Sequence, residues 1–138
     1  MNIIVLQHIN IEDPGYIKDL MLDDGVKITT VELDEGEKIP KDLSKYDGMF
    51  CMGGPMDTYM DHEYPWLKEE KRRIREFVVD LKKPYLGFCL GCQLLGEVVG
   101  GKVIKSNPPE IGIMDIKFTA DKDKDKLFSQ FPSEIKSL

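Results

Sequence analysis

Long apolar runs are missing from this 138-residue chain, and no segment approaches the ~20 residues that a membrane-spanning helix needs. The N-terminus has neither a basic region nor a small-residue cleavage site, so no secretory signal is expected. Positive charge is not in excess either. The chain has 19 Lys and Arg against 25 Asp and Glu, a net charge of −6, and so offers no basic stripe to neutralise phosphates, which argues against nucleic acid as a partner. Three cysteines in an otherwise ordinary composition do not make a disulfide framework; free thiols in a reducing, cytoplasmic setting are expected. Histidine is scarce. His8 and His62 are the two in the chain, and neither follows Cys89. No internal repeat or linker interrupts the pattern, so residues 1–138 read as one domain, long enough to bury a core.

What is present alternates between strand and helix. Residues 2–8 form an apolar run too continuous for a sheet wetted on one side. Asp13 and Pro14 read as an N-cap and first helical position, with the helix running to about Gly25. Strands are expected over 26–33 and 46–52, the second ending at Gly53-Gly54-Pro55. Over 65–82, Leu67, Ile74, Phe77, Val78 and Leu81 recur on one helical face. The basic cluster Lys71, Arg72, Arg73 and Arg75 reads as the solvated side of that helix. A short strand over 83–86 and a helix over 93–99 follow. Strands over 102–105 and 113–119, a solvated charged turn or helix start over 121–126 and a helical piece near Phe128 complete the chain. Such alternation means an α/β fold, a mostly parallel sheet with helices on both faces and function at the carboxyl ends of its strands.

Gly87-Phe88-Cys89-Leu90-Gly91 stands where a strand turns into a helix. It is the cysteine form of the nucleophile elbow, in which a tight turn lifts a nucleophile above the sheet edge and glycines permit the close approach. The helix N-terminus beyond it favours negative charge. Gly53-Gly54-Pro55 ends the preceding strand and so lies on the same edge. Backbone N–H groups of these glycines and of Leu90, the residue after the nucleophile, can face a developing oxyanion there.

The motifs Gly53-Gly54-Pro55-Met56, Glu63-Tyr64-Pro65-Trp66-Leu67 with Glu70-Lys71, and Gly87-Phe88-Cys89-Leu90-Gly91-Cys92-Gln93-Leu94-Leu95 together resemble the class I glutamine amidotransferases, specifically the stand-alone type related to the glutaminase domain of GMP synthase. Gly100-Gly101-Lys102-Val103 and Pro109-Glu110-Ile111-Gly112 extend the likeness over nearly the whole chain. The resemblance implies a three-layer, flavodoxin-like fold. It implies that Cys89 attacks the side-chain amide of glutamine and forms a γ-glutamyl thioester. Gly54 and Leu90 would hold the oxyanion, with Gly53 and Gln93 contacting the substrate. Water then releases glutamate, and the ammonia passes to a synthetase domain or subunit. No cofactor or metal is implied.

The same family carries a His-x-Glu pair near its C-terminus, and this chain stops at Ile135-Lys136-Ser137-Leu138, about where the strand preceding that pair should begin. The expectation is a fold whose C-terminal part is missing, with sheet edge or apolar surface left for a partner chain or a second copy to cover. His8 ends the first strand on the edge that carries Cys89, and reads as a polar strand-end residue ahead of a substitute base. His62, with Asp57 and Asp61, lacks metal-ligand spacing. Cys51 reads as core, Cys92 as a small residue on the inner face of the elbow helix, and Tyr64 with Trp66 as packing at a helix start. Other readings of the residues are a γ-glutamyl peptidase or hydrolase, a non-catalytic glutamine-binding relative, and a C-x-x-C redox pair at Cys89 and Cys92.

Overall fold

The computed structural model describes residues 1–109 and 111–137, so Glu110 of the Pro109-Glu110 motif and the terminal Leu138 lie outside the described residues. Two compact units are present, Met1–Val103 and Ile104–Leu138, where the sequence reads as one domain.

In the first unit, β1 (Asn2–Gln7), β2 (Lys27–Glu32), β3 (Gly48–Cys51) and β4 (Tyr85–Gly87) form a sheet in the order β2-β1-β3-β4, with every neighbouring pair parallel. The apolar run of β1 is continuous because both of its faces are covered. Ile4 and Leu6 join the cluster that holds Leu67, Ile74, Phe77, Leu90 and Leu94, while Ile3 and Val5 pack with Met52, Met21 and Phe50. Helices α2 (Trp66–Arg75) and α3 (Leu90–Val98) contribute to the first set, and α1 (Tyr16–Asp23) supplies Met21 to the second. Helices therefore flank the sheet on both sides.

Several sequence expectations need correction. Asp13 does not cap α1 and Pro14 is not its first residue: Gly15, at φ 54°, turns the chain at the N-cap, and the Asp13 carboxylate accepts the Gly15 N–H at 2.9 Å instead. The helix over 65–82 is α only to Arg75. It then widens into a π-helical turn, Glu76–Asp80, where Leu81 N–H reaches the Glu76 carbonyl, and this shift leaves Leu81 exposed while Phe77 stays buried. Arg73 is not on a solvated face: it is buried and donates to the carbonyls of Pro40 and Lys41 and to Glu76. Residues 102–105 form no strand, since no described strand lies alongside to complete a ladder.

The second unit is small. β5 (Met114–Lys117) and β6 (Glu134–Ser137) pair antiparallel, with Lys117 opposite Glu134 and Asp115 opposite Lys136 at ion-pair distances of 3.1 and 3.4 Å. Two 3₁₀ turns, Ala120–Lys124 and Phe128–Gln130, lie between them. Phe118, Phe128 and Phe131 pack ring to ring at 5.4–5.9 Å. Within the charged run, Lys122 is half-buried and donates to the carbonyls of Ser129 and Phe131.

Two glycines of α3 make a paired test. A Cβ at Gly91 would overlap the Cys51 carbonyl oxygen and stand 2.7 Å from its carbon, whereas one at Gly96 meets nothing within 4 Å. Gly91→Ala should lower the unfolding free energy by about 3 kcal/mol, while Gly96→Ala should raise it by up to about 1 kcal/mol through helix propensity, both read by urea denaturation.

Candidate active site

His8 directly follows β1, Gly53 and Gly54 follow β3, and Cys89 follows β4. Because the three strands are parallel neighbours, all of these residues stand on one edge, beside the point where the strand order reverses between β1 and β3.

Cys89 is the N-cap of α3, with φ 48° and ψ −107°, and its side chain is exposed. A left-handed φ at a non-glycine residue costs about 1–3 kcal/mol and persists only where the surroundings enforce it. Here they do. A Cβ at Gly87 would come within 2.6 Å of the Cys92 nitrogen, so the strand and the first helical turn are in backbone contact. Phe88 N–H donates to the Cys51 carbonyl at 2.9 Å and Gly91 N–H to the Met52 carbonyl at 3.2 Å, fastening both ends of the turn to the end of β3. Tyr85 adds a hydroxyl bond to the Gly91 carbonyl at 2.7 Å. Burial and the neighbouring Cys51 push the Tyr85 pKa far up, so that hydroxyl stays a donor.

Gly53 and Gly54 lie against this turn. The Cβ that Gly53 lacks would sit 3.4 Å from that of Cys89, and the one Gly54 lacks would sit 3.4 Å from a Leu90 methyl. The Glu12 carboxylate also reaches over Gly53. Among the described residues, neither the Gly54 nor the Leu90 N–H donates to a backbone or side-chain acceptor. Gln93 is exposed in the first turn of α3, its N–H bonded to the Cys89 carbonyl at 3.1 Å. Cys92 is exposed rather than inward-facing. The buried stripe of α3 is Leu90, Gly91 and Leu94, and a step of one residue from Gly91 turns the side chain outward.

Beneath the glycines is a polar cluster that sequence reasoning does not assemble. His8 is wholly buried; its Nδ1–H donates to the Gly53 carbonyl at 2.8 Å and its Nε2 meets Glu70 Oε1 at 2.8 Å. The Cys51 thiol donates to the same oxygen at 3.2 Å, and Glu70 Oε2 has no hydrogen-bond partner among the described residues. Trp66 stacks on the imidazole, 5.4 Å between centroids and 15° between planes. A signal for Glu70 does exist in the sequence, since it falls on the seam of Leu67, Ile74 and Phe77, where a carboxylate is costly unless paired. His8, Cys51 and Glu70 are ligand types with atoms within 4.8 Å of one another. Yet 2.8 Å is a hydrogen-bond separation, shorter than the about 3.3 Å between two N/O ligands on a tetrahedral zinc. The cluster is a hydrogen-bond network. His62 is exposed in the loop before α2. A separate cleft of about 410 Å³, lined by Leu33, Ile39 and Trp66 among others, includes none of the elbow residues.

Burial lowers the His8 pKa, but Glu70, through its hydrogen bond and charge, and the Gly53 and Met52 carbonyls raise it further, leaving it above the ordinary 6.5. Burial and then Glu70 push the Cys51 thiol well up, so it stays protonated.

A family model described as "Glutamine amidotransferase class-I" matches residues 16–138. The chain is 28% identical over 138 residues to the glutamine amidotransferase-like protein YfeJ of Salmonella typhimurium, covering 98% of this chain and 57% of that protein. It is 29% identical over 101 residues to a glutamine-hydrolyzing GMP synthase component of Sulfolobus acidocaldarius, covering 73% of this chain and 49% of that one. Among solved structures, a glutamine amidotransferase from Thermotoga maritima superposes with a TM-score of 0.89 at 31% identity, over 99% of this chain and 58% of the other. The chain thus spans about half the length of these relatives. No described helix is long and apolar enough to cross a membrane.

The His8 shift has a definite sign. A group whose pKa is raised on folding contributes stability that is full below its unfolded value and lost as pH rises through the folded one. Urea midpoints should therefore fall as pH climbs from about 6.5. That slope should vanish in His8→Phe, which keeps a ring against Trp66; a slope unchanged in the variant would place the titration elsewhere.

Proposed function

Because the chain belongs to the class I glutamine amidotransferase family, we propose that Cys89 is a nucleophile that opens the side-chain amide of glutamine or a related γ-glutamyl amide. The observation that carries this reading is the enforced left-handed turn, which holds an exposed thiol at the sheet edge against the Gly53-Gly54 segment. The Cys89 sulfur adds to the amide carbon, and the carbonyl oxygen takes up the negative charge. The N–H groups of Gly54 and Leu90 face that oxygen, a contribution of about 3–4 kcal/mol per donor in comparable sites. Collapse breaks the C–N bond, the nitrogen takes a proton and leaves as ammonia, and the thioester is hydrolysed to glutamate. Gln93, exposed one turn along α3, and the Gly53 backbone hold the substrate beside the thiol.

Neither histidine of this chain serves as the base. Both ring nitrogens of His8 are engaged inside the buried cluster, and His62 is on the exposed loop before α2. The ammonia goes on to an acceptor enzyme, with a synthetase the fitting class. Thioester chemistry itself does not distinguish glutamine from other γ-glutamyl amides, so a peptidase or hydrolase shares every step up to the leaving group.

The test is covalent capture. The glutamine analogue 6-diazo-5-oxonorleucine should label this chain at Cys89 and nowhere else, glutamine should protect, and Cys89→Ala should abolish the mass shift. Ammonia release from glutamine should fall about 10³-fold or more below that of an enzyme with a complete triad. Folded protein that takes no label at Cys89 would overturn the proposal.

A further inference from the structure

The buried cluster does something specific to the peptide above it. Gly53 C=O and Gly54 N–H belong to one peptide plane, which is trans, so the two groups point in opposite directions. The His8 Nδ1–H takes the oxygen at 2.8 Å. Fixing the oxygen on the His8 ring turns the Gly54 N–H to the opposite side of the peptide plane, away from that ring. Without such an anchor, a peptide between two glycines has little to stop it rotating, because neither residue has a Cβ to restrict it. His8 in turn is held by Glu70 Oε1 at 2.8 Å and by the stacked Trp66, so its ring cannot turn to offer a bare nitrogen to the carbonyl. The Cys51 thiol donates to the same carboxylate oxygen and helps hold Glu70 in place.

We propose that His8, oriented by Glu70, is a positioning residue that locks the Gly53–Gly54 peptide with its N–H aimed at the oxyanion formed on Cys89. The proposal rests on the nucleophile reading above. It assigns His8 no contact with substrate and no proton transfer. His8 acts through Gly54 alone.

The test separates reactions that need the oxyanion donor from one that does not. A γ-glutamyl p-nitrophenyl ester acylates a thiol through a tetrahedral intermediate: the C–S bond forms, the C–O bond breaks, and p-nitrophenolate leaves without needing a proton. Iodoacetamide alkylates the same thiol in one displacement with no oxyanion. Both are read at Cys89 by mass spectrometry. His8→Phe should slow the acylation burst by about 10- to 100-fold while leaving the alkylation rate unchanged. Equal slowing of both reactions means a general disturbance of the thiol and overturns the inference, as does a burst that is not slowed. A wild-type chain with no burst dependent on Cys89 overturns the nucleophile reading and this inference with it. Should His8→Phe fail to fold, long-range ¹H–¹⁵N spectra of the wild-type chain decide. A protonated Nδ1 across the neutral range is expected, and an unprotonated Nδ1 overturns the lock.

Discussion

The first turn of α3 rests directly on the end of β3, backbone against backbone, and the geometry of the whole site follows from that seat. The missing Cβ of Gly91 lets the helix settle onto the Cys51 carbonyl, and the bonds from Phe88 and Gly91 tie the turn to Cys51 and Met52. Contacts of this kind do not relax as side chains do, since no rotamer is available to move. Cys89 is left with a single place to stand, above the edge, at a backbone angle it would not choose by itself. A serine or threonine hydroxyl placed at that position would meet the same constraint; the turn selects the location and not the chemistry.

Under the seat, the fold tolerates a cost. A buried His, Glu and Cys replace what could have been three apolar side chains, and a buried ion pair of this type seldom stabilises more than a well-packed hydrophobic substitute. The arrangement joins residues from β3, α2 and the end of β1, so it ties the central strands to the helix that covers them. Removing one member leaves the others uncompensated, with losses of about 3–5 kcal/mol typical of broken buried pairs. Networks of this sort are most easily justified by what they orient, and here the oriented group is a carbonyl at the site.

How much of this is legible in the sequence follows the physics of each element. β1 and β3 can be read because strands covered on both faces must be apolar throughout. The elbow can be read because close backbone contact demands glycine on both sides of Cys89. His8 with Glu70 cannot, because 62 residues separate them and a pairing across a core leaves no periodic trace, although Glu70 on an apolar seam is a clue. Arg73 defeats sequence reasoning for the same reason: its acceptors include main-chain carbonyls of Pro40 and Lys41, which any sequence offers everywhere. The start of α1 is ambiguous because Asp13 and Gly15 both carry turn chemistry, and the glycine prevails. Residues 102–105 mislead because strand propensity says nothing about whether a ladder partner exists.

One further consequence follows from the two-sided character of the elbow helix. Its inner surface, Leu90, Gly91 and Leu94, is pressed into the core, while Cys92 and Gln93 are exposed beside Cys89. Drift in this stretch is therefore one-sided. Substitutions on the inner surface would dismantle the turn, whereas those on the outer surface would retune what the thiol meets. A fold built on this elbow can vary its outer surface while its architecture stands still.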